Sequence, residues 1–171
     1  MIFVTVGTQL TFDRLVTAVD GWAGAAGRDD VFAQIGPTDL RPAHLAYERF
    51  ISPADCRKRM LGADTIVAHA GMGTILTALE IGTPVIVMPR QAHYGEHRND
   101  HQMATARRLA ELDLVSVAFD EDELRQRLQE VDQVAARPRI EARAPDPLLA
   151  GLRAFIFDQP ALATATVSSA G

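Results

Sequence analysis

Residues 64–84 read DTIVAHAGMGTILTALEIGTP, and this run constrains the fold most. The apolar stretch 64–69 predicts a buried strand. Residues 70–73 give a glycine-rich turn, 74–81 a helix, and Gly82-Thr83-Pro84 its end. Glycines at Gly71 and Gly73 let the backbone approach a ligand closely. The helix N-terminus they open presents unpaired N–H groups and partial positive charge, which suit a diphosphate. In open α/β sheets, ligands bind at the carboxyl ends of parallel strands, where this turn would stand. Taken alone, such a turn equally serves a purely structural connection.

The rest of the chain repeats the alternation of short apolar runs with amphipathic stretches, the pattern of an α/β fold with a largely parallel sheet. Strands are expected at 2–6, 31–35, 47–51, 64–69, 85–88 and 114–119. Helices are expected at 12–26, after Ser52 as cap with Pro53 in the first turn, at 74–81, and from Asn99 or Asp100 to about 112. Asp120 and Glu123 suit a capping box for one more helix. Residues 89–98 form a long polar loop. Residues 1–132 thus make the α/β domain. An Ala, Arg and Pro-rich connector and a final apolar helix, with Leu149, Leu152, Phe155 and Ile156 at near-helical spacing, occupy 133–158. The helix packs on this domain or docks a partner, and 159–171 is expected to be a disordered tail.

Composition excludes several classes. With 171 residues, 47% hydrophobic and 23% charged, the chain has enough apolar material for one ordinary globular core. A net charge of −5 argues against a general nucleic-acid binder, since Arg107 and Arg108 are followed by Glu111 and Asp113. The single cysteine, Cys56, rules out an internal disulfide framework, fits a reducing compartment, and is expected in the core with Met60. The start at 2–6 is strand-like with no basic n-region, and no window approaches the length of a membrane span.

The string HAGMGTILTALEIGTPVIVMPR over 69–90, with NDHQMATA over 99–106, resembles the C-terminal, donor-binding domain of glycosyltransferase family 28. It is also similar to the small catalytic subunits of two-subunit UDP-sugar transferases, most of all those of bacterial exopolysaccharide and capsule synthesis. The resemblance is strong over 64–112, present at FVTVGTQLTFDRLV, and only general beyond Phe119. It implies a Rossmann-like parallel sheet flanked by helices, equivalent to the C-terminal half of a GT-B glycosyltransferase. It further implies an inverting transfer from a UDP-sugar to a polyprenyl-linked saccharide, without a cofactor. The chain would be cytoplasmic, peripheral at the inner face of the membrane through an acceptor-binding partner subunit.

Carried over residue by residue, the resemblance implies that Gly71, Met72, Gly73 and Thr74 hold the donor diphosphate. Gly7 and Thr8 would face the cleft to the partner, and the loop after Met88 would border the base and sugar. His101 and Gln102 would reach the donor sugar. Relatives carry an acid on the helix after the glycine turn, where it holds the ribose. That position is Thr77 here, with Glu80 one turn further on, so either Thr77 takes the ribose or Glu80 substitutes. His69 is either a structural histidine or a group near the diphosphate, and it is the candidate catalytic residue of this chain. The general base would otherwise come from the partner.

Other charged residues have plainer readings. His97 and His101 are four apart, but the expected cap lies between them and no third ligand stands at a suitable spacing, so no metal is expected. Arg90, Glu96 and Arg98 in the long loop are either solvated or select the donor, an arginine pairing an acidic sugar. Two other classes stand against the enzyme subunit. One is a non-catalytic nucleotide-sugar-binding regulatory module. The other is a dinucleotide-dependent oxidoreductase, which lacks its G-x-G-x-x-G turn after the first strand, where Gly7-Thr8-Gln9 stands instead.

Overall fold

The computed structural model describes residues 1–133; the expected connector, C-terminal helix and tail lie outside the described residues. Six strands form one all-parallel sheet: β1 (Ile2–Thr5), β2 (Val31–Gln34), β3 (Ala46–Glu48), β4 (Thr65–His69), β5 (Val85–Met88) and β6 (Ser116–Val117). Their spatial order is β3-β2-β1-β4-β5-β6. The chain winds outward from β1 in one direction, returns, and winds outward from β4 in the other. The switch point therefore lies between β1 and β4, where Ile2 pairs with Thr65 and Thr5 with Ala68.

Helices cover both faces because the central strands are buried on both sides. On one face α1 (Asp13–Ala26) and α5 (Glu121–Gln129) pack Leu15, Val19, Trp22, Leu124 and Leu128 against Val4, Val6 and Val67. On the other, α2 (Pro53–Gly62), α3 (Met72–Ile81) and α4 (His101–Glu111) bring Met60, Ile75, Ala78 and Leu109 onto Phe3, Ile66 and Val87. Cys56 is only half-buried, packed against this second cluster, while Met60 is buried within it.

The caps act much as their sequences indicate. The Ser52 hydroxyl accepts from the Asp55 amide at 3.1 Å. The Asp120 carboxylate accepts from the Glu123 amide at 2.8 Å, while Glu123 reaches back to the Phe119 amide rather than to that of the cap residue. Asp100 stands at the start of α4, yet its carboxylate is not spent on the helix. It accepts from the Ala92 amide at 2.8 Å and so ties down the preceding loop.

Two strands are shorter than expected by more than one residue. β6 covers two residues rather than the six of 114–119. Asp113 adopts φ 50 and the Leu114 amide turns back to the Leu109 carbonyl, so the helix end consumes the start of the apolar run. β3 spans Ala46–Glu48 rather than 47–51, because the chain leaves the sheet before Ser52 and Pro53 open α2.

Candidate functional site

Two glycine turns meet at the carboxyl edge of the switch point. The first follows β1. Gly7 adopts φ 76, in the left-handed region open to glycine. The ends of two strands hold it: the Thr5 hydroxyl donates to Gln34 Oε1 at 2.6 Å and accepts from the Gly7 amide at 3.3 Å, and Gln34 Nε2 donates to the Gly7 carbonyl at 3.4 Å. The second turn follows β4. Gly71 is the N-cap of α3 without a side-chain cap, so the amides of Met72, Gly73 and Thr74 are the orphan donors of the first helical turn.

His69, the last residue of β4, fills the space between the turns. A Cβ on Gly7 would stand 2.9 Å from its Cε1, and one on Gly71 would stand 2.2 Å from its Nε2. The absence of both side chains makes the slot for the ring. Burial, followed by the positive charge of Arg90, pushes the imidazole down to about 4, with the Thr5 backbone opposing and His97 adding to the fall. The ring is therefore neutral near pH 7. Its Nδ1 is buried and makes no hydrogen bond to a described residue.

The expected donor-binding residues separate into two groups. Gly7, His69 and Gly71 meet at the switch point; Thr8 follows Gly7 in the first turn, and Met72, Gly73 and Thr74 open α3 after Gly71. Gly73 is exposed, with nothing within 4 Å of a Cβ placed on it. Thr77 follows one turn along α3, its hydroxyl donating to the Gly73 carbonyl at 2.9 Å. Glu80 lies two turns from Gly73, about 10 Å along the axis at 1.5 Å per residue. It is exposed and 3.8 Å from Arg57 Nη1.

Arg90 and Gln102 are both buried. Arg90 is only 3% exposed rather than solvated or open to a sugar. Its Nη2 donates to the Val6 and Leu10 carbonyls, both at 2.7 Å. The guanidinium is committed to the underside of the β1 turn, which its planar fork suits and a loop charge would not predict. Its Nε is buried without a described partner. Gln102 is 5% exposed, and its Oε1 accepts from the Arg90 amide at 3.1 Å, so it holds the loop from beneath. Of the expected polar pair, only His101 is exposed. It contacts Asn99 through Nδ1 and packs edge-on against His97, with ring centroids 4.5 Å apart. Among the described residues no three His, Cys, Asp or Glu side chains cluster to hold a metal.

Sequence reasoning passed over Arg14 and left Glu96 as a loop charge. Both are nearly buried, at 11% and 9% exposure. Arg14 Nε and Nη2 donate to the two Glu96 oxygens at 2.8 and 2.9 Å, and Nη1 donates to Glu121 at 3.1 Å. One signal was available. A cation in the first turn of a helix opposes the macrodipole, so Arg14 needs carboxylates from elsewhere.

A hollow of about 470 Å³ lies at the other, amino edge of the sheet, lined by Thr65, Pro84, Val85, Ser116 and Arg127 among others. The carboxyl end of α3, capped by Gly82, points there. Helix carboxyl ends disfavour anions, so this hollow lacks what the glycine turns offer.

Strand order, parallel pairing and paired glycine turns at the switch point define a Rossmann-like α/β domain. The chain belongs to the glycosyltransferase family 28 C-terminal domain family, whose model matches residues 1–151. It is 29% identical over 118 residues to the UDP-N-acetylglucosamine transferase subunit ALG13 of Homo sapiens, a match covering 63% of this chain and 10% of that protein. The chain thus spans about a tenth of the length of the curated relatives it matches. Among solved structures it is similar to the glycotransferase of kitacinnamycin, with 25% identity, TM-score 0.59, and coverage of 89% of this chain and 38% of that one. The ALG13 solution structure shares the fold at TM-score 0.61 and 19% identity, over 88% of this chain and 93% of that one. The architecture is that of the C-terminal half of a GT-B glycosyltransferase.

Proposed function

We propose that this chain is the donor-binding catalytic subunit of an inverting glycosyltransferase. It moves a sugar from a UDP-sugar to a polyprenyl-linked saccharide in exopolysaccharide or capsule synthesis. The observation that carries this reading is the uncapped N-terminus of α3 beside the Gly7 turn. There, fixed N–H dipoles meet the departing diphosphate and stabilise the charge that develops on it. No resident cofactor is needed for that task. The neutral His69 ring sits between the turns, within the space a diphosphate would approach.

Deprotonating the acceptor hydroxyl requires a base and an acceptor surface, and a partner subunit supplies them in this reading. One comparison supports it: the human relative is by name a transferase subunit. No described helix is long and apolar enough to cross a membrane, and in this reading the partner also provides attachment at the inner membrane face.

Calorimetry with UDP, followed by transfer assays with and without a co-expressed membrane partner, tests the reading. The isolated chain should bind UDP and transfer little, and the partner should restore transfer without a large change in UDP affinity. Binding without transfer under every partner condition would instead mark a regulatory nucleotide-sugar-binding module. Ordinary turnover by the purified chain alone would overturn the two-subunit arrangement.

A further inference from the structure

The loops after β1 and β5 are tied to each other in both directions. From the β5 loop, Arg90 donates to the Val6 and Leu10 carbonyls of the β1 turn. From α1, which the β1 turn leads into, Arg14 donates to both Glu96 oxygens and to the Pro89 carbonyl of the β5 loop at 3.3 Å. Glu96 Oε2 also accepts from the Gln91 amide at 2.9 Å, so one carboxylate closes the loop on itself and fastens it to α1. Phe12 forms a shared wall, with each guanidinium 5.4 Å from its ring centroid, and Tyr94 lays its ring 4.7 Å from Arg14.

Such a nearly buried bidentate pair is unlike a surface ion pair. Both charges have left water, so the pairing holds only while the geometry is kept, and removing one charge leaves the other stranded. The loop between β5 and α4 contains only the short 3-10 turn Ala92–Tyr94; besides a few backbone bonds, Asp100 and Gln102 hold its Ala92 and Arg90 amides and Gln91 reaches the Phe119 carbonyl, while the Arg14–Glu96 pair fastens it to α1.

We infer that Glu96 is a positioning residue: through Arg14, and alongside the separate Arg90 link, it locks the β5 loop and the β1 turn as one unit, and so sets the fit of the nucleoside and sugar end of the donor. The inference rests on the UDP-sugar reading, in which this loop borders the base and sugar while the amides of α3 hold the diphosphate. The two ends of the ligand then respond differently to the same change, which a simple loss of folding would not produce.

The test compares the full chain with its Glu96→Gln variant, with Glu111→Gln of the exposed Arg108–Glu111 pair as control. Backbone nitrogen relaxation is measured without ligand, and UDP and inorganic pyrophosphate are titrated against the amides of Met72 to Thr74. In Glu96→Gln, order parameters should fall both at 91–98 and at 7–11. UDP affinity should drop tenfold or more while pyrophosphate affinity stays within twofold. Loosening confined to 91–98 overturns the lock. Equal loss of UDP and pyrophosphate, or loss of neither, overturns the positioning role. A wild-type chain that binds neither ligand strikes the UDP-sugar reading instead, and the lock is then judged by relaxation at 7–11 alone.

Discussion

His69 and Gly71 occupy one space: a Cβ on residue 71 would stand 2.2 Å from the Nε2 of residue 69. The ring takes the volume that any other residue at 71 would fill. Gly71→Ala should therefore destabilise the protein by about 1–3 kcal/mol, the usual cost of overpacking. Adding His69→Ala should relieve part of that cost, giving a coupling energy above about 0.5 kcal/mol in a urea-denaturation double-mutant cycle. Strict additivity would show that the two residues do not share the slot.

Gly73 provides the contrast. Nothing lies within 4 Å of a Cβ placed there. Gly73→Val should leave thermal stability nearly unchanged, since Val is no worse than Gly in a helix. It should nonetheless reduce UDP affinity sharply, because the new side chain stands where phosphates approach the α3 amides. Calorimetry on the folded variant is the check, and wild-type affinity would place the diphosphate elsewhere.

Acid should reveal His69. It takes up a proton near pH 4 in the folded protein, against the ordinary imidazole value of 6.5. Between those values the unfolded chain binds more protons, so stability falls as the pH drops from 6.5 to 4 and levels off below. The loss is on the order of 3 kcal/mol. Asp30, held down to about 2 chiefly by hydrogen bonds from Arg28, acts in a separate window, losing its contribution between 3.8 and 2. Urea midpoints measured from pH 7 to 4 should slope less in His69→Gln than in wild type. Equal slopes would contradict a neutral, buried ring.

The ribose contact distinguishes two positions on α3. Thr77 uses its hydroxyl hydrogen on the Gly73 carbonyl and keeps acceptor capacity only, whereas Glu80 is an exposed carboxylate with a loose ion pair to Arg57. A hydrogen bond to a charged group contributes about 1.5–3 kcal/mol. If Glu80 holds the ribose, Glu80→Gln should weaken UDP binding roughly tenfold or more while Thr77→Ala changes little; if Thr77 does, the order reverses with a smaller loss. Uridine and UDP titrations of both variants decide, and no change in either removes both from the ribose site.

The sequence by itself determined the elements and the turn that carries the proposed chemistry. Apolar runs of strand length, Ser52 and Asp120 at helix starts, and glycines at 7, 71 and 82 specify local backbone states. The likeness to family 28 is likewise written in two short contiguous strings, 69–90 and 99–106. Tertiary structure alone decided which loop charges leave water. Arg90 meets Val6 and Leu10, and Arg14 meets Glu96, across about 80 positions of chain. These meetings follow from the crossover that seats β4 and β5 on one side of β1 and brings the β5 loop back over the start of α1. A charged residue in a polar loop looks the same in sequence whether it is solvated or buried. Only the carbonyls and carboxylates brought to it by distant segments give the charge the partners it needs to stay inside.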